Sequence, residues 1–183
     1  MHFTEKWFNP AKIRQLHKAM DDVKNLDGEI VEVGSWEGRS SIEIANHFHP
    51  KKLHVIDHWL GDLTNLKSGV ADLAKQRDVF AQFKANMDEA TQGNYIVHRS
   101  SWRDVNWNEI PKLSFLFIDG EHTFPEVSDN ILVALPRMVK GGVLAGDDYT
   151  IPQVRKAVLT HFSELEVNHC SGAGAAIWWV VFK

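Results

Sequence analysis

The stretch Ile30-Val31-Glu32-Val33-Gly34-Ser35-Trp36-Glu37-Gly38-Arg39-Ser40-Ser41 constrains the fold of this chain more than any other. Apolar residues run up to Val33, as suits a parallel strand covered on both faces. Gly34 and Gly38 let the backbone turn sharply and approach a neighbour closely. Ser40 to His47 has helical composition, with an apolar stripe through Ile42, Ile44 and Ala45. A strand, a glycine turn and a helix in that order leave free backbone N–H groups at the carboxyl end of a sheet, where open α/β proteins bind ligands. Dinucleotide folds use G-x-G-x-x-G, whose second glycine lets the backbone approach a pyrophosphate. Here Trp36 stands two residues after Gly34, and so bulky a side chain argues against a pyrophosphate cradle.

The remaining chain repeats the alternation. Pro10 to Leu26 reads as an amphipathic helix with Ile13, Leu16, Ala19, Met20 and Val23 inward, capped at Asn9-Pro10. It covers the sheet edge or the mouth of the site, and packing alone would explain it. Further strands are Leu53 to Asp57, Tyr95 to His98, Leu113 to Ile118 and Val143 to Gly146. Helices are expected over Ala71 to Met87, Pro125 to Met138 and Pro152 to Phe162, with Lys140-Gly141-Gly142 as a turn. Leu165 to His169 and Ala176 to Phe182 are two more strands. Only Cys170 to Ala175 joins them, so they must run antiparallel.

A chain of 183 residues with 44% hydrophobic content suits one domain over 1–183, with residues 1–27 a helical segment packed on it. A net charge of −4 gives no general attraction to nucleic acid or anionic lipid. A lone cysteine, Cys170, fits a reducing compartment. The first residues lack an apolar signal core, and no apolar run is long enough to span a bilayer. A cytoplasmic protein without membrane or nucleic-acid partners is expected.

Acidic residues end several strands. Asp57 closes the second, where a carboxylate can accept from both hydroxyls of a ribose. His58 and Trp59 follow it. Ser101 and Trp102 follow the third strand, where a hydroxyl and an indole could flank an adenine ring. Asp119 closes the fourth strand, and Asp147-Asp148 the fifth. These two strands should be neighbours by the right-handed crossover rule. Clustered carboxylates repel unless a cation or proton lies between them. Oxygen ligands without paired histidines point to a hard cation such as Mg²⁺, although Asp147 and Asp148 would equally cap the next helix.

The pattern Glu32-x-Gly34-x-x-x-Gly38 resembles the first motif of class I S-adenosylmethionine-dependent methyltransferases. Five βα units and a terminal hairpin match that fold too. The implied architecture is α/β and Rossmann-like: a seven-stranded, mostly parallel sheet with a C-terminal antiparallel hairpin and helices on both faces. Asp119, Asp147 and Asp148 resemble the ligands of metal-dependent O-methyltransferases of the catechol O-methyltransferase type, with Asp148 in place of Asn. Gly141-Gly142 to Asp147-Asp148-Tyr149, with Ile118-Asp119-Gly120-Glu121-His122 and Asp129, resembles the sugar O-methyltransferase form, of methyltransferase family 24 type.

The resemblance implies roles. Glu32, Gly34, Ser35, Trp36, Gly38 and Ser40 would surround the methionine part of S-adenosylmethionine. Asp57 and His58 would hold the ribose side, and Ser101 and Trp102 the adenine. Asp119 would serve both cofactor and metal. His122 stands where relatives carry a lysine base, and would accept the proton of a small hydroxylated substrate such as a diol, catechol or sugar. A homodimer is one assembly open to such a chain. Competing readings are a non-catalytic module on the fold, a hydroxylase-like enzyme, a nicotinamide dehydrogenase and a nucleic-acid N-methyltransferase. The last would carry Asn/Asp-Pro-Pro-Tyr/Phe where this chain has Asp119-Gly120-Glu121-His122.

Overall fold

The computed structural model describes residues 1–21, 23, 25–170 and 176–183. Its frame is one seven-stranded sheet. β1 (Glu29–Val33), β2 (Leu53–Asp57), β3 (Tyr95–Arg99), β4 (Leu113–Ile118), β5 (Met138–Gly146), β6 (Asn168–His169) and β7 (Trp178–Val181) lie in the order β3-β2-β1-β4-β5-β7-β6. The first five run parallel. β7 enters antiparallel beside β5, and β6 pairs antiparallel with β7. The expected hairpin partners therefore pair; their connection, residues 171–175, lies outside the described residues.

Alternation along the strands splits the core. Ile30, Leu53, Val55, Phe115 and Phe117 face one way, under α1 (Pro10–Met20), α2 (Arg39–Phe48) and α4 (Val79–Thr91). Val31, Val33, Leu116 and Ile118 face the other, under α5 (Phe124–Ala134) and α6 (Pro152–His161). All six residues of β4 are buried, as a central strand between two helical layers requires. Among the described residues no helix is long and apolar enough to cross a membrane.

Several boundaries differ from the sequence reading. The helix expected over Ala71 to Met87 is two, α3 (Val70–Gln76) and α4, because Arg77 is extended and Asp78 caps α4 by accepting from Ala81 N–H. α1 ends at Met20, after which the N–H groups of Val23 and Leu26 each bond three residues back. α5 gives way to a 3₁₀ turn over Leu135–Arg137. β5 starts at Met138, so the expected Lys140-Gly141-Gly142 turn lies inside an irregular strand with a register shift against β4. β6 keeps only two of its five expected residues.

Candidate active site

The tips of β1, β2, β4 and β5 open on a cavity of about 710 Å³, whose walls include Gly34, Trp36, Asp57, Asp119, His122 and Asp148. Gly34 has φ +85°, and a Cβ there would lie 2.3 Å from the carbonyl oxygen of Asp119. The first turn thus presses directly on the tip of β4. Trp36 and Trp59 both adopt left-handed backbone angles, φ 49° and 56°, which bulky residues rarely tolerate. Asp57 holds this geometry. Its Oδ2 accepts from the N–H groups of Ser35 (2.8 Å) and Trp36 (3.0 Å), and its Oδ1 from that of Trp59 (2.6 Å). An ionised carboxylate has about four lone-pair sites. Three are taken, so Asp57 keeps one free acceptor site, where binding both hydroxyls of a ribose would use two.

Glu32 departs from the expectation of ligand contact. It is 0% exposed and lies behind the turn, accepting from Ser40 Oγ (2.6 Å) and from Ser41 Oγ. Burial pushes its carboxyl up to about 7, against the lowering pull of the serine hydroxyls. A folded-state value above the ordinary 4.5 penalises the ionised form. The associated stability is complete below about pH 4.5 and is lost as pH rises through 7. Native protein should therefore lose about 2–3 kcal/mol between about pH 5 and pH 8 relative to Glu32→Gln, measured by urea unfolding at each pH. Parallel pH profiles for the two proteins would refute this.

Gly38 is corrected likewise. Its φ of +85° caps α2, but a Cβ there would meet Phe83 and Met87 of α4, not the cavity. Ser35, Trp36, Ser40, His58, Ser101 and Trp102 do line the cavity. The Trp102 indole N–H donates to Glu126 Oε2 (3.0 Å) and Ser101 Oγ accepts from Arg103 N–H, so Trp102 offers a ring face and not a donor. His58 Nδ1 accepts from Leu60 N–H. Arg39, unassigned by sequence, also lines the cavity, its buried Nε without a partner among the described residues. It opens α2, a ten-residue helix with no side-chain cap, whose free N–H groups favour an anion.

The second pole is ionic. Asp119, His122 and Asp148 each offer a ligand atom, all within 4.8 Å of one another. Asp148 has φ 58°, and its Oδ2 lies 2.7 Å from His122 Nε2, off the line of a straight hydrogen bond. Asp147 is not in this trio. Its Oδ1 accepts from Asp148 N–H (2.7 Å), and its Oδ2 pairs with Lys12 Nζ at 2.5 Å. Lys12 Nζ is also 3.5 Å from Asp148 Oδ1. Of the residues expected to hold a metal, Asp119 and Asp148 thus lie together with His122, while Asp147 is turned to Lys12.

Burial and the neighbouring Asp147 and Asp148 hold the Asp119 carboxyl well above its usual range. Burial and Asp148 also raise Asp147, against the pull of Lys12. Asp148 is lowered: burial opposes ionisation there, but His122 and Lys12 outweigh it. Burial works against a charged His122, yet Asp148, with Asp62 and Asp147 behind it, raises its pKa. The imidazole therefore keeps its proton more firmly than the sequence suggests.

Chain ahead of α1, and the first turn of α1, supply a further wall. Phe3, Glu5, Trp7 and Phe8 of the former and Lys12 of the latter line the cavity. Glu5 accepts from Trp36 Nε1 (2.9 Å) and pairs with Arg77 (2.5 Å), and Trp7 packs on Trp36 at 5.6 Å. Sequence reasoning missed these residues: Lys12 because a polar position on an amphipathic helix looks like a solvated face whether or not a partner waits there, and the others because the residues before the helix carry no periodicity that says what they cover.

The sequence profile of the family described as Methyltransferase domain matches residues 31–149. No curated protein matches the chain. Among solved structures, the O-methyltransferase NovP is 18% identical with a TM-score of 0.69, over 94% of this chain and 81% of NovP. The calicheamicin methyltransferase CalS11 is 14% identical with a TM-score of 0.67, over 95% of this chain and 80% of its own. An O-methyltransferase from Bacillus cereus, solved in complex with SAH, is 15% identical with a TM-score of 0.66, over 94% and 81%. At these identities the likeness is one of fold.

Proposed function

The chain belongs to the methyltransferase-domain family, and from that premise we propose that it moves the methyl group of S-adenosylmethionine to a hydroxyl of a small molecule, assisted by a divalent ion. The observation that carries the reading is a single cavity with the glycine turn at one side and the carboxylate–imidazole trio at the other. Two reactants held there would meet at short range, and proximity is a large part of catalysis for a displacement.

The residues suit the cofactor. The unpartnered Arg39 Nε beside the uncapped start of α2 matches a carboxylate, and the free acceptor site of Asp57 matches a ribose hydroxyl. Trp36 and Trp102 offer ring faces to the rest. When bound, S-adenosylmethionine supplies an electrophilic methyl carbon whose bond to sulfur breaks as an oxygen attacks, leaving a neutral thioether. Asp119, His122 and Asp148 suit a divalent ion, two hard oxygen donors and one imidazole. Such an ion supplies Lewis acidity that makes the acceptor hydroxyl easier to deprotonate. An imidazole bound to the ion has no second lone pair for a proton, so His122 would hold the ion, its ring oriented by Asp148, instead of acting as the expected base, and the hydroxyl proton would pass to solvent. Asp119 fixes the acceptor from the tip of β4.

Thermal unfolding with S-adenosylmethionine, S-adenosylhomocysteine or NAD, each with and without Mg²⁺, tests this. The two sulfur nucleosides should raise Tm by about 5–10 °C at about 100 times their Kd. NAD should leave it unchanged. A shift with NAD alone would overturn the reading.

A further inference from the structure

We infer that Lys12 is a tethered competitor of the divalent ion, delivered by α1 into the aspartate cluster and setting how tightly that ion is held. The inference rests on the metal reading of the cluster given above.

Lys12 is placed firmly. It lies in the first turn of α1, its N–H bonded to the Oδ1 of the Asn9 cap at 3.1 Å, behind Pro10. Phe8, just before the cap, is buried edge-on against Phe117 of β4 at 6.1 Å. The ammonium reaches the cluster with its side chain only 13% exposed. There it pairs with Asp147 Oδ2 and lies within 3.5 Å of Asp148 Oδ1. Asp148 is therefore shared: one oxygen faces Lys12 and the other faces His122 within the candidate ligand trio. An ion bound by Asp119, His122 and Asp148 would meet the ammonium across a single carboxylate. Two cations so close, in a site partly shielded from water, repel strongly. Either the ion is held weakly or Lys12 withdraws. Asp147 is meanwhile kept from the ion by its own pairing with Lys12.

The test uses the full chain stripped of metal and titrated with Mn²⁺ at neutral pH, free ion being followed by electron paramagnetic resonance. Lys12→Met and Lys12→Gln should each bind Mn²⁺ at least about tenfold more tightly than the native protein, and Lys12→Arg, which keeps the charge, within about twofold of it. Glutamine covers the case in which methionine does not fold. A lysine serving only as a structural pair would leave Mn²⁺ affinity unmoved, and equal affinities in all four proteins would overturn the inference while leaving the metal reading intact. If none binds Mn²⁺, the inference and the metal assignment fall together. The thermal shift with S-adenosylmethionine, run on the same samples, reports separately on the methyltransferase reading.

Discussion

Replacing Gly34 with alanine is expected to destabilise the protein by about 4 kcal/mol or more and to abolish any cofactor-induced rise in Tm. Two costs combine. At φ +85° an L-residue is strained by roughly 1–2 kcal/mol before it touches anything. The added Cβ would then lie 2.3 Å from the Asp119 carbonyl oxygen and 2.5 Å from its carbon. Both are backbone atoms at the tip of the central strand β4, and Asp119 N–H is itself bonded to Val33 O at 2.8 Å. Neither side can yield without separating β1 from β4, so the clash is relieved by unpairing the strands whose tips form the cavity. Gly38→Ala is the matched control. It carries the same φ, but its Cβ meets side-chain atoms of Phe83 and Met87 at 3.1–3.3 Å, which can shift. It should cost about 1–2 kcal/mol. Urea unfolding of both variants decides the matter: equal losses would mean that the approach to β4 carries no special weight.

The contrast between those two glycines shows what a sequence exposes. Both announce a turn, but which one touches another strand depends on a partner far along the chain. β4 was legible because Leu113 to Ile118 is a near-continuous apolar run, and such a run has few places to go except the middle of a parallel sheet. The acids at the tips of β2, β4 and β5 were legible for the same reason, since each stands where an apolar run stops. The break between α3 and α4 was not. Arg77 is a good helix former, and it leaves the helix because its guanidinium spans Glu5 and Glu37, both at 2.5 Å. Tertiary ion pairing overrode local propensity. Lys12 was hidden in the same way, as was its pairing with Asp147, which lies outside the trio of Asp119, His122 and Asp148. Glu32 misled differently. Its place in the motif suggested ligand contact, whereas strand alternation turns it under α2, to Ser40 and Ser41.

Asp57→Ala is expected to cost about 4 kcal/mol and to abolish the shift with S-adenosylmethionine, for a reason the strand pattern alone did not contain. The carboxylate gathers three backbone N–H groups from two loops. Hydrogen bonds to a charged acceptor contribute roughly 1.5–3 kcal/mol each, and the donors left behind are partly buried. Two of the three belong to Trp36 and Trp59, the left-handed tryptophans, and a further bond ties Trp59 Nε1 to the Trp36 carbonyl at 2.8 Å. Without Asp57 the backbone of both tryptophans loses its N–H partner, and only side-chain contacts remain to offset the strain. The Trp36 ring should then leave the cavity wall, where it packs against Trp7 at a 38° tilt and donates to Glu5. Asp57→Asn separates the clamp from mere bulk. Its amide oxygen can still accept from Ser35 and Trp36, while its NH₂ must face the Trp59 donor. It should lose about half as much stability and keep a reduced cofactor shift. Urea unfolding with a parallel thermal titration of all three proteins measures both quantities. A destabilised Asp57→Ala that still responds fully to S-adenosylmethionine would confine Asp57 to folding. An alanine variant as stable as the native chain would show that the turn holds its shape without the carboxylate.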